Sequence, residues 1–166
     1  MVIDKCCADY LDIDLNAQKL SVIRDGQVCR DFIVSTAKNG SGEEMGSECT
    51  PRGWHKVKAK IGAKAPLYTV FSGRRATGEI YTTGLAAVSP ERDWILTRIL
   101  WLVGLEPGRN RYGLVDSGWR YIYIHGSPDD SVTSTPQSHG CVRMKNNDVV
   151  ELFDLVVVGE RVLIHE

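Results

Sequence analysis

Several features are missing from this 166-residue chain, and each absence excludes something. None of its five cysteines (Cys6, Cys7, Cys29, Cys49 and Cys141) forms a Cys-x-x-Cys pair, the spacing of a zinc ribbon or a thioredoxin-like redox site. An odd number of cysteines cannot pair fully within one chain. A chain this long buries a core without staples, so reduced thiols are expected. No apolar run approaches the roughly 18 residues of a membrane span. The longest candidate, Ile95 to Val103, is broken by Thr97 and Arg98. Asp4, Lys5 and Asp9 interrupt the N-terminus before any apolar signal region forms, which reads as a cytoplasmic protein. A surplus of charge is also lacking: 20 basic residues face 21 acidic ones, for a net charge of -1, which argues against nucleic-acid binding by charge. With no repeat and no linker, residues 1–166 read as a single domain.

What is present is mostly strand pattern. Leu11, Ile13 and Leu15 alternate with Asp12 and Asp14, and Leu20 and Val22 continue the pattern. Asp25-Gly26 is a hairpin turn signal, with Val28, Arg30, Phe32 and Val34 on the return strand. Asn39 to Gly46 reads as a loop, Trp54 to Ile61 and Tyr68 to Phe71 as strands. A helix is predicted from Ser89 as N-cap and Pro90 through Trp94, Ile95, Ile99 and Leu102 to Gly104. Tyr121 to Ile124 reads as a strand. A second helix, capped by Asn146, Asn147 or Asp148, runs through Val150, Leu152, Phe153 and Leu155, and Arg161 to Ile164 is a last strand. The sum is a mainly β fold with two helices.

The segment from Ile124 to Met144 carries the chemistry. Cys141 follows Gly140, which lets a substrate approach the backbone closely. His139 lies two residues before it and His125 sixteen. A free thiol is mostly protonated at neutral pH, and a nearby imidazole can take its proton and hold a thiolate as an ion pair. His125 falls where a strand meets a Gly-Ser-Pro turn. The stretch Ser127 to Gln137 is long enough to fold back and set Cys141 beside it.

This segment resembles the signature of the L,D-transpeptidase catalytic domain (YkuD-type) family: His125, a spacer, then Ser138, His139, Gly140, Cys141, Val142 and Arg143. Met144, Asn146 and Asp148 before an apolar helix, and Thr50-Pro51-Arg52-Gly53 upstream, extend the likeness to roughly Tyr10 through Ile164. The resemblance implies a β-sandwich of mixed sheets with two α-helices and a cleft ending at the cysteine. It implies Cys141 as nucleophile, His125 as general base, and the Gly126 carbonyl holding the other imidazole nitrogen. The N–H groups of Gly140 and Cys141 are the expected oxyanion donors, and His139 is expected to support the site. Ser138 is expected to fix the turn or touch substrate. Arg143, where many members carry Asn, binds either a substrate carboxylate or the loop.

The implied reaction attacks the L-centre–D-Ala bond of a peptidoglycan tetrapeptide stem and leaves a thioester on the cysteine, which an amine or water then resolves. No metal or organic cofactor is implied, and carbapenems are implied covalent inhibitors. The absence of a leader favours an L,D-carboxypeptidase that trims recycled muropeptides. The alternative is a periplasmic L,D-transpeptidase forming 3-3 crosslinks. Outside catalysis, the alternatives are a silent binder of wall fragments and a redox sensor pairing Cys141 with Cys6 or Cys7. Seven basic residues and no acidic one between Cys49 and Gly78 suit anionic stems, although Lys56, Lys58 and Lys60 also read as a solvated strand face. Trp54, Trp119 and Tyr121 read as core aromatics or as the lining of a groove.

Overall fold

The computed structural model describes residues 9–166, so Cys6, Cys7 and the Asp4-Lys5 segment lie outside the described residues. The Leu11/Ile13 alternation becomes β1 (Tyr10–Asp14), with both apolar side chains fully buried. β2 (Lys19–Arg24) returns antiparallel to it, and Asp25 and Gly26 turn the chain into β3 (Gln27–Ile33). Their φ values of 51 and 73° are the two positive angles of a type I′ turn. Next come β4 (Gly53–Ile61), the hairpin β5 (Thr69–Ser72) and β6 (Arg75–Ile80), and the short helix α1 (Thr83–Val88). β7 (Ile95–Gly104), β8 (Tyr123–Gly126), β9 (Val142–Met144), helix α2 (Asn146–Leu155) and β10 (Arg161–His165) complete the chain.

The strands form one mixed ten-stranded network in the order β3-β2-β1-β10-β4-β7-β5-β6, from which β8 and then β9 branch at β7. The pairs β1–β10 and β8–β9 are parallel. The network folds over on itself. Leu11, Ile13, Leu20 and Val22 share a core with Leu100, Leu102, Ile124, Val142 and Met144, and with Val149, Leu152 and Phe153 of α2.

The predicted helix from Ser89 to Gly104 is corrected: this stretch holds β7, the strand on which the network branches. Six of its ten residues are buried, on both faces, so the period-2 signal is lost and the apolar spacing imitates a helix. A bulge completes the disguise. Thr97 sits at φ 71°, and the register with β8 shifts between Leu96 and Ile99. Ser89 closes α1 instead, its N–H donating to the Ala86 carbonyl at 3.1 Å. α1 itself begins at Thr82, whose Oγ1 accepts from the Leu85 N–H at 3.0 Å.

α2 lies where predicted, but its cap is not local. Lys145 occupies the cap position without a side-chain bond, and Oδ1 of Asp129 accepts the Asn146 N–H at 2.8 Å. A carboxylate there also suits the positive end of the helix dipole. At the other end, Lys60 Nζ donates to the Phe153 and Val156 carbonyls at 2.6 and 2.7 Å, so this lysine serves the helix rather than a solvated strand face.

Candidate active site

Strand register brings the predicted residues together. Tyr123 pairs with Trp101 and His125 with Ile99 on β7, while β9 sets Arg143 beside His125 and Val142 beside Ile124. Side chains alternate across a strand, so Tyr123, His125 and Arg143 share one face, and Cys141, one residue before β9, joins them. Ile124, Val142 and Met144 point the other way into the core. The shared face opens on a cleft of about 440 Å³, lined among others by Arg74, Tyr123, His125, His139, Cys141 and Arg143.

His125 is only 1% exposed. Its Nδ1 lies 2.7 Å from the Gly126 carbonyl, which can only accept, so Nδ1 carries the hydrogen and Nε2 keeps the basic lone pair. Gly126 is there for space: a Cβ would sit 2.5 Å from the Leu96 carbonyl and 2.9 Å from Asn146 Oδ1. Asn146, fully buried, donates to the Ser127 carbonyl at 2.8 Å and to Asp129 Oδ1 at 3.0 Å, and it accepts from the Thr97 hydroxyl. This network fixes the backbone that follows His125. Thr97 and Asn146 went unrecognised as its members because their partners are remote in sequence.

The turn into Cys141 is held from inside. Ser138 Oγ accepts the Gly140 N–H at 3.2 Å and donates to the Cys141 carbonyl at 2.6 Å. Thr50 Oγ1 donates to the Gly140 carbonyl at 2.9 Å and accepts the Ala37 N–H at 3.0 Å. The Gly140 N–H, one of the expected oxyanion donors, bonds within the turn, and the Ser138 hydroxyl bonds backbone on both counts, the turn-fixing one of its two expected roles. Gly140 itself has φ 134°.

The surroundings of Cys141 act on its charge state in opposing directions. The Cys141 thiol donates to the Tyr121 carbonyl at 3.4 Å, and its sulfur accepts the Tyr123 N–H at 3.3 Å. Burial pushes the thiol up to about 12, with Asp93 adding to the rise and the Tyr123 N–H, Arg143 and Arg120 opposing it. Burial likewise holds His125 below the ordinary imidazole value. Burial therefore disfavours the charged form of both groups. Arg143 Nη2 pairs with Asp93 at 3.1 Å, and its backbone bonds Ser35 in both directions. His139 is exposed at the cleft wall.

One arginine escaped the sequence reading, and a second was read only as part of the basic stretch before Gly78. Arg120 reaches the Gly42, Glu43 and Cys49 carbonyls, at 2.6 Å for the last, and ties the 42–49 loop beneath Cys141. Nothing in the sequence around it signals this. Arg74 sits at the β5–β6 hairpin tip with φ 64° after Gly73 at 53°, and its Nη1 donates to the Tyr123 hydroxyl at 3.0 Å. The Gly-Arg turn between two strand patterns was a usable signal. His55, given no role from sequence, is fully buried between the Gly53 carbonyl and the Ser117 hydroxyl, away from the cleft.

A buried imidazole and a half-buried thiol share one sheet face open to a cleft, and these are the residue types that thiol-based acyl transfer uses. Comparison with known proteins places the chain further. The sequence pattern of the L,D-transpeptidase catalytic domain (YkuD) matches residues 8–164, and the chain belongs to that family. A Bacillus subtilis (strain 168) protein named "Putative L,D-transpeptidase YqjB" is 27% identical over 159 residues, covering 93% of this chain and 70% of that protein. The L,D-transpeptidase (residues 123-326) from Xylanimonas cellulosilytica DSM 15894 shares the fold with a TM-score of 0.57 and 23% identity, over 98% of this chain and 62% of that one. LdtMt1, solved in complex with imipenem, shares it with a TM-score of 0.55 and 18% identity, over 95% and 59%. This chain therefore spans about six-tenths of the length of these solved structures. Among the described residues, no helix is long and apolar enough to cross a membrane.

Proposed function

We propose that the chain is a cysteine-nucleophile L,D-carboxypeptidase that removes the terminal D-Ala from peptidoglycan tetrapeptide stems, as in muropeptide recycling. The observation that carries this reading is the placement of Cys141 and His125 on one face of the β8–β9 pair, with Nε2 as the free base. The thiol hydrogen swings from the Tyr121 carbonyl to His125 Nε2 as sulfur attacks the scissile carbonyl. The oxyanion is held by the Cys141 N–H, since Gly140 donates to Ser138. The tetrahedral intermediate collapses, His125 returns the proton to the leaving D-Ala amine, and a thioester remains. Water then attacks with His125 again as base, releasing the tripeptide carboxylate and restoring the thiol.

Arg143 lines the cleft and suits the carboxylate of the leaving D-Ala. Water rather than a second stem amine is proposed as the acceptor, and the products decide between the two. The test is to incubate the chain with a soluble disaccharide-tetrapeptide and separate the products by mass. Tripeptide and free D-Ala are expected, with no product from Cys141→Ala. A crosslinked dimer as the main product replaces this reading with L,D-transpeptidation, and unchanged turnover by Cys141→Ala removes it.

A further inference from the structure

Beside the Cys141 cleft lies a second cavity of about 420 Å³, and Arg74 and Tyr121 line both. Its other walls include Lys58, Arg111, Tyr112 and Trp119. The composition is unusual for an idle surface. Trp119 is 71% exposed and Tyr112 57%. Both rings stand on backbone that is held firmly: buried Asp116 accepts the Tyr112 N–H at 2.7 Å and the Trp119 N–H at 3.0 Å. The Gly118 carbonyl accepts the Trp101 indole N–H at 3.2 Å. A large ring on anchored backbone and left open to water offers a stacking surface.

Three cations frame the cavity, and each already lies over an aromatic face. Lys58 Nζ is 4.0 Å and the Arg74 guanidinium 4.7 Å from the Trp101 ring centre, and the Arg111 guanidinium is 4.8 Å from that of Tyr112. Trp119 has no such partner among the described contacts, so its face is the one available to a ligand. Exposed aromatic faces bordered by guanidiniums suit a pyranose ring linked to a carboxylate-bearing peptide.

We propose that this cavity is the subsite for the glycan-proximal end of the donor stem, with the sugar stacked on Trp119 and an upstream stem carboxylate between Arg74 and Arg111. The inference rests on the peptidoglycan-stem reading above and extends it to the sugar. Continuity supports it. The Tyr121 carbonyl that holds the Cys141 thiol belongs to the residue separating the two cavities. A stem whose scissile carbonyl lies at Cys141 covers roughly 10 Å over three residues before its sugar begins, a span that leads into the neighbouring cavity.

The experiment measures binding to the Cys141→Ala protein by calorimetry, with disaccharide-tetrapeptide and free tetrapeptide as two separate probes. The disaccharide form is expected to bind at least fivefold more tightly. Adding Trp119→Ala is expected to bring that ratio close to one, whereas Val88→Ala, on distant α1, preserves it. Thermal melting checks that each variant is folded. Equal affinity for the two probes, or a ratio that survives Trp119→Ala, overturns the proposal. Because binding is read without turnover, absence of product from the wild-type chain counts against the proposed reaction, while the affinity ratio alone decides the sugar subsite.

Discussion

His125 donates its Nδ1 hydrogen to the carbonyl of its own neighbour Gly126 at 2.7 Å, so the orienting group of the base is backbone rather than a carboxylate. A carboxylate there would stabilise the imidazolium and draw the cysteine toward a standing ion pair. A carbonyl does so far less, and burial opposes the charged form of both groups.

The first prediction follows directly. Thiolate absorbance near 240 nm, taken as the difference between the wild-type chain and Cys141→Ala, is expected to be negligible at pH 7 and to rise only well above pH 9, since burial pushes Cys141 up to about 12. A full thiolate signal at neutral pH would show a preformed ion pair instead.

Gly126→Ala is expected to be among the most damaging single changes. Its Cβ meets the Leu96 carbonyl at 2.5 Å and Oδ1 of the fully buried Asn146 at 2.9 Å, backbone on one side and a hydrogen-bonded side chain on the other. The cost is expected at about 2–4 kcal/mol, read by chemical denaturation, together with loss of turnover as the imidazole is displaced. A variant of unchanged stability and activity contradicts the packing described.

Thr50→Val keeps the shape of the side chain while removing its bonds to the Gly140 carbonyl and the Ala37 N–H. Two buried backbone groups lose their partner, at a cost of about 1–3 kcal/mol. Since one of them belongs to the turn into Cys141, kcat is expected to fall roughly tenfold. A stability loss with kcat intact would make Thr50 a structural residue alone.

His55 is held down to about 4 from the ordinary 6.5 by burial, and in the fold it donates to the Gly53 carbonyl and accepts from Ser117. The folded state therefore binds this proton less readily than the unfolded chain. The stability involved is complete above pH 6.5, declines as pH falls toward 4 and levels off below, amounting to about 3 kcal/mol. Denaturant titrations across that range are expected to show the decline in the wild-type chain and a much shallower one in His55→Gln.

Imipenem is expected to add its mass to the chain and not to Cys141→Ala, as read by intact-protein mass spectrometry. The expectation rests on the proposed nucleophile, since the imipenem complex belongs to LdtMt1. An adduct on Cys29 or Cys49, both free thiols, would instead indicate simple thiol reactivity.

The sequence was most legible where structure is local. Asp25-Gly26 announced a type I′ turn because the chemistry of a two-residue turn lies within those two residues. His125 lies on β8 and Cys141 immediately precedes β9, so one parallel pair positions both. β7 was not legible, since burial on both faces erases alternation and the Thr97 bulge resets it. The same holds for the Gly140 N–H: only the folded turn reveals that Ser138 reaches it before a substrate can. The cap of α2 and the roles of Arg120 and Asn146 depend on partners 17 or more residues away, which no window along the chain contains.

Asp129 ends up with three obligations. It caps α2 through Asn146, receives the Tyr68 hydroxyl at 3.1 Å, and anchors the Ser127–Gln137 segment that joins His125 to Cys141. Lifting that segment to admit a bulky stem would strip the helix of the carboxylate that accepts its first N–H, leaving Asp148 as the acidic residue of its first turn. Fraying of α2 and widening of the gap between base and nucleophile are thereby a single equilibrium, and a ligand that steadies one steadies the other.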